Sequence, residues 1–143
     1  MSHSFYKIWI IWATKLRVPL LHQGIEYTVY SFQYQQFREL ACPLRIINDM
    51  PDHIHRLFLL NAQKSVADVI KQVKGSSAHF INQNDLIAEK FSWQTGYAAF
   101  SVSESGAEKV FQYIKNQKQH HQGKTSEQEQ SNFLTRYGIQ GPM

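Results

Sequence analysis

Met50-Pro51-Asp52-His53-Ile54-His55-Arg56-Leu57-Phe58-Leu59-Leu60 opens on turn residues and runs into a chain of branched and aromatic side chains. From Ile54 to Leu60 only Arg56 is charged, the pattern of a buried strand. Side chains alternate faces along a strand, so His53 and His55 share one face, roughly 6 to 7 Å apart. Two imidazoles at the mouth of a strand are either ordinary histidines or a pair that holds a cation. Just upstream, Leu44-Arg45-Ile46-Ile47 reads as another strand and Asn48 to Asp52 as turn chemistry. The two strands are therefore expected to form a hairpin.

The flanks complete the pattern. Phe5 to Ala13 is aromatic and β-branched, a first strand ended by Thr14-Lys15, and Leu16 to Gly24 reads as a loop. Ile25, Val29, Phe32 and Phe37 fall near a helical period, so a helix is expected from Ile25 to Leu40, before Pro43. Beyond the histidine strand, Ser65-Val66-Ala67-Asp68 has the form of a helix start, and Val66, Val69, Ile70 and Val73 make an apolar stripe. Lys64, Lys71 and Lys74 lie on an arc off that stripe, and Gly75-Ser76-Ser77 is expected to interrupt or end the helix. A fourth strand lies within Phe91 to Ser103, clearest in Tyr97 to Val102. A last helix is expected from about Gly106 to Lys118, capped by Ser105. The polar tail, 124–143, carries a weak helix over about 126–137. The order β-α-β-β-α-β predicts an α+β, ferredoxin-like antiparallel sheet with two helices on one face, followed by extra C-terminal helices. The histidine strand is then central, its other face free for a site. The whole chain, 1–143, reads as one domain.

The chain has 143 residues, 43% of them hydrophobic, enough for one core, and a formal net charge of +4. That excess is compatible with a polyanionic partner without demanding one. The single cysteine, Cys42, excludes an internal disulfide and a Cys-rich zinc site, and reads as a buried filler. No stretch approaches the ~18 apolar residues of a membrane span. A cytoplasmic protein is expected, with no membrane partner.

The last helix holds Tyr113 and Gln117, four residues apart and hence on one face, at the edge of a stripe of Ala107, Val110, Phe111 and Ile114. A tyrosine one turn from an amide is common by itself. The ordered set is not: Pro51-Asp52-His53-Ile54-His55, then Val69 to Ser77, then Phe91 to Ser103, then Tyr113 to His121. With the first strand and Thr14-Lys15, this set resembles the single-tyrosine HUH transposases of IS200-like insertion sequences and their relatives associated with repetitive extragenic palindromes.

The resemblance implies that His53, His55 and Gln117 ligate a divalent metal, Mg²⁺ or Mn²⁺, and that Tyr113 is the nucleophile. Imidazoles and an amide oxygen leave open positions on such an ion for a phosphate oxygen. A tyrosine, with a pKa of about 10, needs that help to attack at neutral pH. The implied activity is DNA transposition: cleavage and rejoining of single-stranded DNA at hairpin ends through a 5′-phosphotyrosine. A domesticated or inactive copy that only binds structured single strands is the alternative, and an RNA-binding module a third. Lys71, Lys74, Lys115 and Lys118 are candidate contacts to the DNA backbone. The resemblance also implies a bacterial, nucleoid-associated protein and a homodimer, which a first strand apolar on both faces also favours. The nucleophile helix docks on its own chain or its partner's. Arg56 departs from the family pattern: facing the core, it either reaches out at the sheet edge or pairs with a carboxylate. Tyr97 is a rival nucleophile read as core or base-stacking, and His22 and His79 read as surface residues.

Overall fold

A computed structural model describes residues 5–120 of the chain. The weak tail helix and His121 lie outside them. β1 (Phe5–Ala13), α1 (Gln23–Glu39), β2 (Leu44–Met50), β3 (His53–Asn61), α2 (Val66–Gln83), β4 (Ala98–Val102), α3 (Glu104–Lys115) and the one-turn α4 (Gln117–His120) follow in order. The strands form one sheet in the order β2-β3-β1-β4, with every neighbouring pair antiparallel. This is the expected ferredoxin-like arrangement, and it puts β1 and β3 in the interior.

Strand alternation sorts the apolar residues into two cores. Ile8, Ile10, Trp12, Ile54 and Phe58 face α1 and α2, meeting Val29, Phe37, Val69, Ile70 and Val73. Trp9, Ile11 and Leu57 face the other way and are covered by Val110, Tyr113 and Ile114 of α3. Both faces of β1 are thus used within one chain, so its apolar character no longer calls for a partner subunit. The face bearing the histidines, expected to be open, lies under α3.

Several boundaries differ from expectation. α2 runs unbroken through Gly75-Ser76-Ser77 to Gln83. Ser77 is fully buried and continues the stripe from Val73 to Ile81. Its hydroxyl lies 3.2 Å from the Lys74 carbonyl and accepts from Trp93 Nε1 at 3.1 Å. Tertiary burial outweighs the weak helix propensity of Gly and Ser. β2 extends to Met50, leaving Pro51-Asp52 as the whole turn. α3 starts earlier than expected because Ser103, not Ser105, is its N-cap and accepts from the Gly106 N–H at 3.1 Å. It stops at Lys115, so the segment expected as one helix to Lys118 is α3, a break at Asn116 and α4. Cys42 is buried, as expected.

Candidate active site

The two histidines begin β3. His53 and His55 are 2% and 1% exposed, and their ring centroids stand 5.1 Å apart. Each ring has a fixed neighbour at Nδ1. Asp52 Oδ1 lies 2.7 Å from His53 Nδ1. The hydrogen bond to His53 holds the Asp52 carboxyl below its usual range against partial burial, and Arg17 acts the same way. An ionised carboxylate only accepts, so His53 Nδ1 carries the hydrogen and Nε2 the lone pair. On His55 the roles reverse: the Trp9 indole N–H, a donor only, lies 3.2 Å from Nδ1.

Tyr113 reaches this pair from α3. Its ring centroid is 6.1 Å from His55 and 5.6 Å from Trp9, edge-on to both, and it is 5% exposed. Gln117 is fully buried at the start of α4. It does not lie one turn above Tyr113 on a continuous helix, because Asn116 breaks the run. A side chain from the sheet holds that break. Asn48, opposite His55 in the β2–β3 ladder, donates Nδ2–H to the Ile114 carbonyl at 2.8 Å. Lys118 donates to Asn48 Oδ1 at 2.7 Å and pairs with Glu26 of α1 at 2.9 Å. One position on β2 therefore joins the histidine strand to the helix end between Tyr113 and Gln117. All of this is within one chain.

Arg56 resolves in favour of a buried pair. It is fully buried on the α1 side, donates from Nη1 and Nη2 to Asp49, and donates from Nε to Gln33 Oε1 at 2.7 Å. Nη1 also donates to the His55 carbonyl at 2.9 Å, and the Tyr30 ring lies 5.7 Å away. Burial holds the Asp49 carboxyl above its usual range, with Arg56 pulling the other way. Burial also raises the Tyr30 hydroxyl, which accepts from the Asp49 N–H at 2.9 Å.

The four candidate lysines divide. Lys71 and Lys115 are exposed. Lys74 donates to the Gln94 and Gly96 carbonyls at 2.8 and 2.9 Å, beside the Trp12 ring, and Lys118 is held by Asn48 and Glu26. Tyr97 is 43% exposed, which removes it from the core, and His22 and His79 lie on the surface. Sequence reading passed over Trp9, Asn48, Asp49 and Asp52 as site neighbours. Asp52 adjoins His53 in the chain and could have been paired with it; the others required the strand register.

The model of the IS200-like transposases matches residues 2–117, a span that takes in both histidines, Tyr113 and Gln117. The chain belongs to the IS200-like transposase family. By family it is a DNA-processing enzyme. The ISDra2 transposase TnpA of Deinococcus radiodurans is 29% identical over 117 residues, covering 76% of this chain and 81% of that one. A crystal structure assigned as a transposase from the same organism superposes with a TM-score of 0.65 at 25% identity, over 80% of this chain and 92% of the other. A REP-associated tyrosine transposase bound to a REP hairpin also superposes at 0.65, over 85% and 72% of the two chains. At 11% identity it shares the fold. Among the described residues of this IS200-like chain, no helix is long and apolar enough to cross a membrane.

Proposed function

We propose that this IS200-like transposase cleaves and rejoins single-stranded DNA at hairpin ends, with Tyr113 as nucleophile. The observation that carries this reading is the meeting of Tyr113 with His55, and of His55 with His53, on one buried face of the sheet. The Tyr113 oxygen attacks the scissile phosphorus, the bond to the 3′ oxygen breaks, and that oxygen leaves as a free 3′-OH bearing the proton the tyrosine gave up. One phosphodiester replaces another, so no nucleotide or water is consumed. Attack by a different 3′-OH reverses the step and joins new ends.

His53, His55 and Gln117 would hold Mg²⁺ or Mn²⁺. His53 fits the role: Asp52 orients the ring and secures Nε2 as its donor atom, the usual arrangement behind a metal-bound imidazole. Among the described residues no group of three His, Cys, Asp or Glu side chains is placed to hold a metal. The proposed donor set is two imidazoles and an amide, which suits a cation that keeps open positions for phosphate, and His55 would join it by losing the Nε2 hydrogen that the Trp9 bond to Nδ1 favours. When bound, the ion supplies charge that polarises the phosphate and stabilises the developing phenolate and leaving oxygen.

Lys71 and Lys115, exposed, are the leading contacts to the DNA backbone. Lys74 and Lys118 join them only by giving up or sharing the partners they have. Each lost phosphate contact should flatten the salt dependence of binding by about one unit. A homodimer remains part of the proposal. With β1 covered on both faces, a second copy would add at β2 or β4, the outer strands. A bacterial cytoplasm is the setting this activity implies.

The test is a labelled hairpin oligonucleotide with Mg²⁺. A covalent protein–DNA adduct mapping to Tyr113 is expected, absent in Tyr113→Phe while hairpin binding stays within twofold or so of wild type. Chelator should abolish the adduct, and Mn²⁺ or Mg²⁺ should restore it. An adduct that survives in Tyr113→Phe, or maps to Tyr97, overturns the assignment.

A further inference from the structure

β2 is the outer strand beside the histidine strand, and little in its own sequence settles how it pairs. Ile46 and Ile47 are successive apolar residues, Ile46 packed on the α3 side and Ile47 buried as well, so alternation does not single out one face. The turn is a weak guide too. Pro51 is the first of the two loop residues, and proline holds φ near about −65°, whereas the tight loops that match strand twist need a positive φ there. The ladder itself contains two registers. Leu44 stands opposite Phe58, the register shifts across Arg45, and from Ile46 opposite Leu57 onward the pairing is offset by one residue. Had the register of Leu44 continued, Ile47 would stand opposite His55 and Asn48 opposite Ile54. Asn48 would then turn to the helix side and lose the Ile114 carbonyl.

One set of bonds is made only in the register observed. Asp49, opposite Ile54, lies diagonal to Arg56 and accepts from Nη1 and Nη2. Nε donates to Gln33 of α1, and Nη1 donates also to the His55 carbonyl at 2.9 Å. The guanidinium thus ties β2, β3 and α1 at one point, and Arg56, Asp49 and Gln33 are all buried. A buried ion pair adds little or nothing to stability over apolar side chains of the same volume, and fixing a register is its best attested use. A carboxylate one residue out of place would point into the α3-side core and leave Arg56 unmatched among the helix-side residues. Asn48, next to Asp49, points to the opposite face, where it reaches the Ile114 carbonyl. Successive residues of β2 therefore hold the sheet from behind and the end of α3 in front.

We propose that the Arg56–Asp49 pair is a register pin for β2. It sets Asn48 opposite His55, and through Asn48 both side chains are positioning residues for the helix break before Gln117. The consequence for metal binding rests on the reading of Gln117 as a ligand; the register does not.

The test exchanges the two neighbours, Asn48→Asp together with Asp49→Asn. In the register of Leu44 an aspartate at residue 48 would take the place Asp49 holds now, so the strand should slide by one residue to follow its carboxylate. Cross-strand backbone contacts, read by NMR on metal-free, DNA-free protein, should move from the 48–55 pair to the 48–54 pair. A second variant, Arg56→Met with Asp49→Leu, removes both charges and strands neither. It should melt within a few degrees of wild type or higher, yet show more than one set of β2–β3 contacts. Its Mn²⁺ affinity, read by calorimetry, should fall by about tenfold or more. If the exchanged chain keeps residue 48 opposite His55, or the apolar pair keeps the single wild-type register, the proposal is overturned. Should one variant fail to fold, the other decides alone. A register that follows the carboxylate, in a protein whose wild type binds no Mn²⁺, would support the pin and sink the metal reading.

Discussion

Arg56 stands one residue past His55, fully buried, and among the described residues its charge is matched by Asp49. Alternation along β3 was enough to say that Arg56 points toward the helices. It did not say what waits there, because Asp49 lay in a stretch that reads as turn and is in fact ladder. Removing one partner of such a pair strands the other in a medium that penalises charge. Arg56→Met should therefore cost about 3–5 kcal/mol in denaturant unfolding at neutral pH. The loss should depend on pH in a definite direction. Burial already holds the Asp49 carboxyl above its usual value against the pull of Arg56, and removing Arg56 lets it rise further. Stability is then fullest below the unfolded value and falls as pH climbs through the folded one, so the variant should sit closer to wild type in acid. A deficit that grows toward acid would contradict the pairing. Trp9 offers a second test at this scale. Its indole N–H occupies His55 Nδ1, which favours hydrogen on Nε2, whereas a cation at Nε2 needs that hydrogen gone. Trp9→Phe should tighten Mn²⁺ binding, read by calorimetry on DNA-free protein; weaker binding would mean that Trp9 orients the ring for the metal.

The elements show which signals are local and which are not. The hairpin, the order of strands and the placing of both histidines on one face of β3 follow from period and turn residues. The extent of α2 does not, because Ser77 is held by burial and by Trp93 rather than by its own propensity. The division between α3 and α4 is likewise non-local. A helix that stops at Lys115 leaves carbonyls without intrahelical partners, and the side chain that satisfies one of them comes from β2. Asn48→Ala removes that bond and the Lys118 contact together. The loss should be about 1–3 kcal/mol, the range for leaving a part-buried polar group unsatisfied. Because the stranded groups flank Gln117, adduct formation should slow and need more Mg²⁺, while hairpin affinity changes little. If Asn48→Ala lowers affinity and leaves the Mg²⁺ requirement alone, Asn48 belongs to the DNA surface instead.

At the scale of the whole molecule the question is whether one chain makes one site. The sequence left this open, since a helix reached through Ser103-Glu104-Ser105-Gly106 looked hinged and β1 looked too apolar for a monomer. Both grounds change in the folded chain. Ser103 caps α3 and Gly106 already lies inside it, so the expected hinge is the first turn of a helix. β1 is interior, with one face on α1 and α2 and the other on α3. α3 packs Tyr113 against the histidine strand of its own chain, and Asn48 and Glu26 hold the segment after it. We propose that each chain completes its own site, so that parts are not exchanged when subunits mix. Tyr113→Phe protein combined with a His53→Ala/His55→Ala variant, under conditions that let subunits exchange, should form no adduct, because every site keeps one lesion. Sedimentation of the same mixture, free and with hairpin DNA, reports the oligomeric state separately. A dimer that stays inactive would mean that the second copy serves recognition or assembly, with each chain cutting by its own tyrosine. Recovery of about one wild-type site per mixed dimer would require α3 to leave the place it holds here and dock across the interface, and the bonds from Asn48 to Ile114 and from Lys118 to Glu26 would be the first to break.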